Sequence, residues 1–160
     1  MSVLSYRTGP TQLVRVPSDP AFTIRPGMLV GLFGSAIRPP SGTPWAGDVD
    51  ATRSVFAEVF LGVAHSAAEA GVSQMVSVDL SPLAVYAPAL EAGGCAFGAG
   101  LAPADAGGEL SDDLLAPTGS RASAVGLALE TAAADAPVVR AAFASVYSPA
   151  ANTTKALGPS

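Results

Sequence analysis

Apolar residues along this chain come in short runs, each cut off by glycine, proline or a small polar cluster. Runs of that length suit strands joined by turns better than packed helices. The pattern predicts strands at 12–16, 21–24, 28–33, 60–64, 75–79, 83–87, 95–101, 122–130 and 138–147. Residues 39–44, Pro39-Pro40-Ser41-Gly42-Thr43-Pro44, carry no period and read as a loop of extended, polyproline-like geometry. The acidic, glycine-rich stretch 103–119 reads as a second loop. A short helix is predicted at 51–59, capped by Asp50, with Val55 and Val59 on one face; the competing reading starts a strand at Val55.

Part of this pattern occurs twice. Leu61-Gly62-Val63-Ala64 returns as Val125-Gly126-Leu127-Ala128, and each copy is followed by small residues, a turn and a second apolar run. At one constant offset Gly62 matches Gly126, Ala64 matches Ala128 and Met75 matches Val139. A strand, a turn and a strand used twice describe a duplicated hairpin unit. The expected fold is mainly β, a small antiparallel barrel or sandwich built from that unit, with one or two short helices and extended termini. Its expected divisions are an extended N-terminal arm at 1–19, a β domain at 20–147 and a C-terminal tail at 148–160.

Composition narrows the function classes. The 160 residues are 13% charged, against roughly 25% in an average domain, and carry a net charge of −5. Much of the apolar content is alanine, so many methyl groups must lie at the surface, which suits lasting contact with neighbours. A GC-rich genome explains the same bias, as one lysine against seven arginines suggests. The acidic balance and the scattered arginines argue against nucleic acid. No membrane segment is expected, because the densest apolar run, 28–37, is half the length of a bilayer span and is broken by Gly31 and Gly34. The N-terminus turns polar and reaches Gly9-Pro10 before any apolar core forms, so no signal peptide is expected.

Candidate chemistry is sparse. His65 is the single histidine and reads as a surface or turn residue, with Leu129 as its counterpart in the second copy. Cys95, alone, excludes an intramolecular disulfide and reads as a small buried hydrophobe. The glycines at 93, 94, 98 and 100 lack the Lys-Ser/Thr ending of a phosphate loop. Asp48 with Asp50 and Asp112 with Asp113 lack the spacing of a calcium loop, and capping or solvation suits them better. No catalytic residue, cofactor or metal is expected, and the protein is not read as an enzyme, although folding can still bring distant carboxylates together.

The chain resembles the capsid cement (head decoration) proteins of tailed bacteriophages. The likeness covers about 20–147 and rests on Arg25-Pro26-Gly27-Met28-Leu29-Val30, on Phe60-Leu61-Gly62-Val63-Ala64 with the strand at 75–79, and on Ala124-Val125-Gly126-Leu127-Ala128 with 138–146. It departs in the insertions at 39–50 and 103–119 and in the tail. The resemblance implies a structural virion protein, made in the host cytoplasm, that binds the capsid exterior as a homotrimer. Its implied partner is the major capsid protein, whose neighbouring capsomers it holds together. The alternative is a ligand-binding β module of carbohydrate type on a virion or cell surface, with Trp45 as the stacking residue. For capsid or subunit contact the expected residues are Arg7, Leu13, Val14, Arg15 and Val16. They lie in an arm that alternates apolar and basic positions and is suited to adding its edge to a neighbour's sheet.

Overall fold

The computed structural model describes residues 5–147, and the tail expected at 148–160 lies outside them. In chain order the strands are β1 (Ser5–Thr8), β2 (Leu13–Pro17), β3 (Leu29–Phe33) and β4 (Ala36–Arg38). A single 3-10 turn at Pro40–Gly42 and helix α1 (Val49–Val59) follow. Then come β5 (Phe60–Ala64), β6 (Met75–Asp79), β7 (Val85–Ala87), β8 (Gly100–Asp105), β9 (Leu110–Thr118), β10 (Gly126–Ala128) and β11 (Ala141–Phe143). They form a five-stranded sheet of order β2-β6-β5-β3-β4 and a six-stranded sheet of order β1-β7-β11-β10-β8-β9. All their ladders are antiparallel. The mainly β, antiparallel expectation holds.

Apart from β1, the two sheets have the same strand order, and the duplication is therefore wider than the hairpin read in the sequence. β2, β3, β4, β5 and β6 correspond to β7, β8, β9, β10 and β11. Main-chain bonds repeat with them: Gly27 N–H to Ala64 O at 2.7 Å and Gly98 N–H to Ala128 O at 2.8 Å, Ser18 N–H to Gln74 O at 2.8 Å and Leu90 N–H to Pro137 O at 3.0 Å. Each sheet curls until the chain just after its β2 or β7 strand meets the β4 or β9 strand. Single parallel bridges mark the meeting points, Ser18 with Ile37 and Leu90 with Leu115. These bridges are isolated, so the sheets stay open and pack face to face as a sandwich.

One apolar cluster lies inside the first sheet's curl and includes Val30, Ile37, Leu61, Val76 and Val78. The larger cluster joins the sheets, with Leu29, Phe60 and Val63 from the first against Tyr86, Leu101 and Phe143 from the second. Alternate side chains of β3 and β5 thus serve different clusters, which is why those strands read as continuous apolar runs. Helix α1 supplies Phe56 to the larger cluster, 5.9 Å from the Phe60 ring between centroids. Burying such a ring is worth about 3 kcal/mol at most.

Several expectations change. The matching of Met75 with Val139 slips by one residue: His65 N–H bonds Ser77 O, twelve positions on, whereas Leu129 N–H bonds Arg140 O, eleven on. Val76 is the true counterpart of Val139; both are fully buried while Met75 is 49% exposed. A one-residue slip reverses the face of every side chain in a strand. The loop expected at 103–119 is instead the β8–β9 hairpin, turned at Gly107 and Gly108, whose φ values of 84° and 93° only glycine adopts readily. Residues 21–24 form no strand beyond a bridge from Ile24 to Ala68. The helix starts at Val49, two residues earlier than expected, and Asp48 caps it, accepting from Ala51 N–H at 2.8 Å. Asp50 sits in the first turn and pairs with Arg53 at 3.2 Å.

Within the segment expected as an extended arm, 5–8 and 13–17 are strands paired to β7 and β6. Val14 and Val16 pack on the inner cluster while Leu13 and Arg15 face out, so the alternation that suggested a free arm is that of a half-buried edge strand.

Candidate functional site

The five residues expected to make contacts fall on the edges of two different sheets. Arg7 lies in β1, at the edge of the six-stranded sheet, and lines a shallow cleft with Glu130, Val138 and Arg140. Leu13, Val14, Arg15 and Val16 lie in β2, at the edge of the five-stranded sheet. Leu13 and Arg15 are exposed, and Val14 and Val16 are half-buried. The structure groups the four β2 residues on one edge and leaves Arg7 on another.

The polar centre of the molecule is a chain of side chains that the sequence did not reveal. Asp79, at the end of β6, is buried and accepts three hydrogen bonds: from Gln12 N–H at 2.8 Å, Ser81 N–H at 2.9 Å and the Tyr86 hydroxyl at 2.6 Å. His65 Nε2 lies 2.7 Å from that same hydroxyl and 3.9 Å from the Asp79 carboxylate. Because the phenol proton is directed at the carboxylate, the network assigns the Nε2 proton of the imidazole to the Tyr86 oxygen. Burial and the adjacent Asp79 charge push the Tyr86 phenol far above the ordinary tyrosine range. His65 is therefore a partly buried member of a linked group and not the surface residue expected. No local motif could have found it, since its partners lie 14 and 21 positions away.

An aligned carboxylate, phenol and imidazole can hold or pass a proton. The open side of His65 meets a shallow cleft lined by Tyr6, Pro26, Gly27 and Ala64, where no serine, threonine or cysteine stands as a nucleophile. What the chain does in the fold is clear: it ties β5 and β6 of the first sheet to β7 of the second. A second polar clasp joins the units elsewhere. Asp112 of β9 accepts from Ser41 N–H and Ser41 Oγ, each at 2.8 Å, and Arg25 reaches Asp113 at 3.2 Å. Burial raises the Asp112 carboxyl above its ordinary range, and the Ser41 bonds oppose that rise. The paired aspartates weighed against calcium are thus engaged, one by a serine and one by an arginine.

Among the described residues no group of three or more metal-ligating side chains comes together. No helix among them is long and apolar enough to cross a membrane. Trp45 is 40% exposed in the loop before α1.

Fold and site together define a two-unit antiparallel β sandwich with polar ties between its units and exposed strand edges. No family model and no curated protein matches the sequence. Among solved structures the chain is similar to the head fiber gp8.5 N base of bacteriophage phi29, at 15% identity and a TM-score of 0.48, over 83% of this chain and 95% of that one. At that score and identity the likeness defines neither the fold nor the role of this chain.

Proposed function

We propose that this chain is a structural virion protein that binds the outer surface of a phage capsid and holds neighbouring capsomers together. The reading rests on the sequence resemblance to capsid cement proteins. The observation that carries it in the structure is the placing of the first strand: β1 forms an edge of the six-stranded sheet, with Arg7 exposed. The β1 edge offers main-chain hydrogen bonds to a neighbour, and its exposed Arg7 offers a charge for an acidic patch on the shell. The Asp79–Tyr86–His65 chain and the Asp112–Ser41 clasp hold the two units as one rigid bridge, which a protein that works by linking needs.

Density-gradient virions from the source culture, probed with antibody to the purified chain, test this directly. The chain should travel with intact heads at high copy, and heads stripped of it should lose their contents at a lower temperature. Heads free of the chain overturn the reading. Arg7→Ala leaves the β1 ladder in place and should lower head occupancy.

A further inference from the structure

We propose that two copies of this chain join through the open edge of β2, antiparallel about a twofold axis at Val14. The internal duplication shows what such an edge receives. Leu80 N–H bonds Gln12 O at 2.9 Å and Ser18 N–H bonds Gln74 O at 2.8 Å, so even-numbered residues of β2 point their main-chain groups at β6. The N–H and C=O groups of Leu13 and Arg15 point the other way. In the second unit, Val139 N–H bonds Pro88 O at 3.1 Å, so Val85 and Ala87 occupy the same outward phase. Those two residues are covered: β1 pairs with them, antiparallel, Ser5 opposite Ala87 and Thr8 opposite Val85. Equivalence through Ser18 and Leu90 places Leu13 at the position of Val85 and Arg15 at that of Ala87. One unit has its strand, and among the described residues the other has none.

The opening is short and bounded. Pro17, also in the outward phase, has no N–H, and β4 meets the chain at Ser18. Of the other edges, β1 carries the shell contact proposed above, and β4 and β9 are guarded: β4 is three residues long, and β9 carries Asp112, Asp113 and Pro117 with Ser41 bonded against it.

A second β2 fits this opening by symmetry. About a twofold at Val14, Leu13 of each copy faces Arg15 of the other, and both are residues whose main-chain groups point outward. The two pairs exchange four main-chain hydrogen bonds. Leu13, 53% exposed, lies along the aliphatic stem of the opposite arginine, and neither Arg15 faces its own equal. The strand sense is the one β1 adopts on β7.

Sedimentation of the purified full chain over a concentration series reads the pairing. A mass of twice 15.8 kDa is expected at high concentration. Arg15→Pro removes the arginine side chain and an N–H that points away from β6, and it fixes φ; it should give a monomer that keeps its β circular dichroism spectrum. Arg15→Ala, which keeps the N–H, should remain a dimer. Should the proline variant unfold, hydrogen exchange on the unaltered chain decides: the Leu13 and Arg15 amides must slow as concentration rises. A chain monomeric throughout, or an oligomer of any order in which those amides stay fast, overturns the pairing. These readouts need no particle, so they stand or fall apart from the virion reading.

Discussion

A methyl group on Gly62 would lie 2.0 Å from the carbonyl oxygen of Asp79. β5 and β6 approach so closely there that only glycine fits, and the acid above it anchors the bond to Tyr86. The duplicated Gly126 is also tight, but its nearest neighbour is the Phe143 ring at 2.7 Å, and its nearest backbone atom, the Ala142 oxygen, lies at 3.0 Å. Gly62→Ala should therefore cost more stability than Gly126→Ala, about 3 kcal/mol or more in urea unfolding. Equal losses would mean that the repeat, and not the backbone contact, sets the need for glycine.

The Tyr86 phenol gives stability a dependence on alkaline pH. Its folded pKa is raised above the ordinary 10.0, so above that pH the unfolded chain loses a proton that the folded chain keeps. Stability is fully present below about pH 10 and falls beyond it by up to about 1.4 kcal/mol per pH unit. Tyr86→Phe should flatten that limb. Ultraviolet titration should show one of the three tyrosines ionising only with unfolding.

Asp112 acts in the acid range with the same sign. Burial raises its folded pKa, so the folded chain holds this proton to higher pH than the unfolded chain does. Its contribution is fully present below the ordinary carboxylate range and is lost as pH rises through the raised value. Asp112→Asn should remove that part of the slope when urea midpoints are compared from about pH 4 to 7.

Asp48, whose carboxylate caps α1, is expected to matter where Asp50 does not. Asp48→Ala should lower stability by about 1 kcal/mol. Asp50→Ala should cost less, because its ion pair with Arg53 is largely exposed on the acid's side. Thermal melts of the two variants give the order.

Short-range chemistry carried much of the fold in the sequence. Alternating or glycine-led runs marked β2, β3, β5 and β6, Gly62 and Gly126 marked a repeat, and Val55 with Val59, behind an aspartate cap, marked α1. The β8–β9 hairpin was signalled as well, by Gly107-Gly108 between Asp105 and Leu110, but the adjacent acids Asp112 and Asp113 concealed the alternation. These features depend on residues a few positions apart, so local spacing suffices to specify them.

Tertiary structure decided the rest. Nothing within the second copy reveals that its connection is one residue shorter; only the ladder, which must bury Val139 beside Pro88, selects that register. The partners of His65 and Ser41 lie too far along the chain for any motif to link them. Whether Leu13 and Arg15 are open depends on which strand, if any, the assembled sheet places beside β2. Strand alternation fixes which side chains face in, but main-chain groups in the sheet plane find their partners only when the whole sheet has assembled.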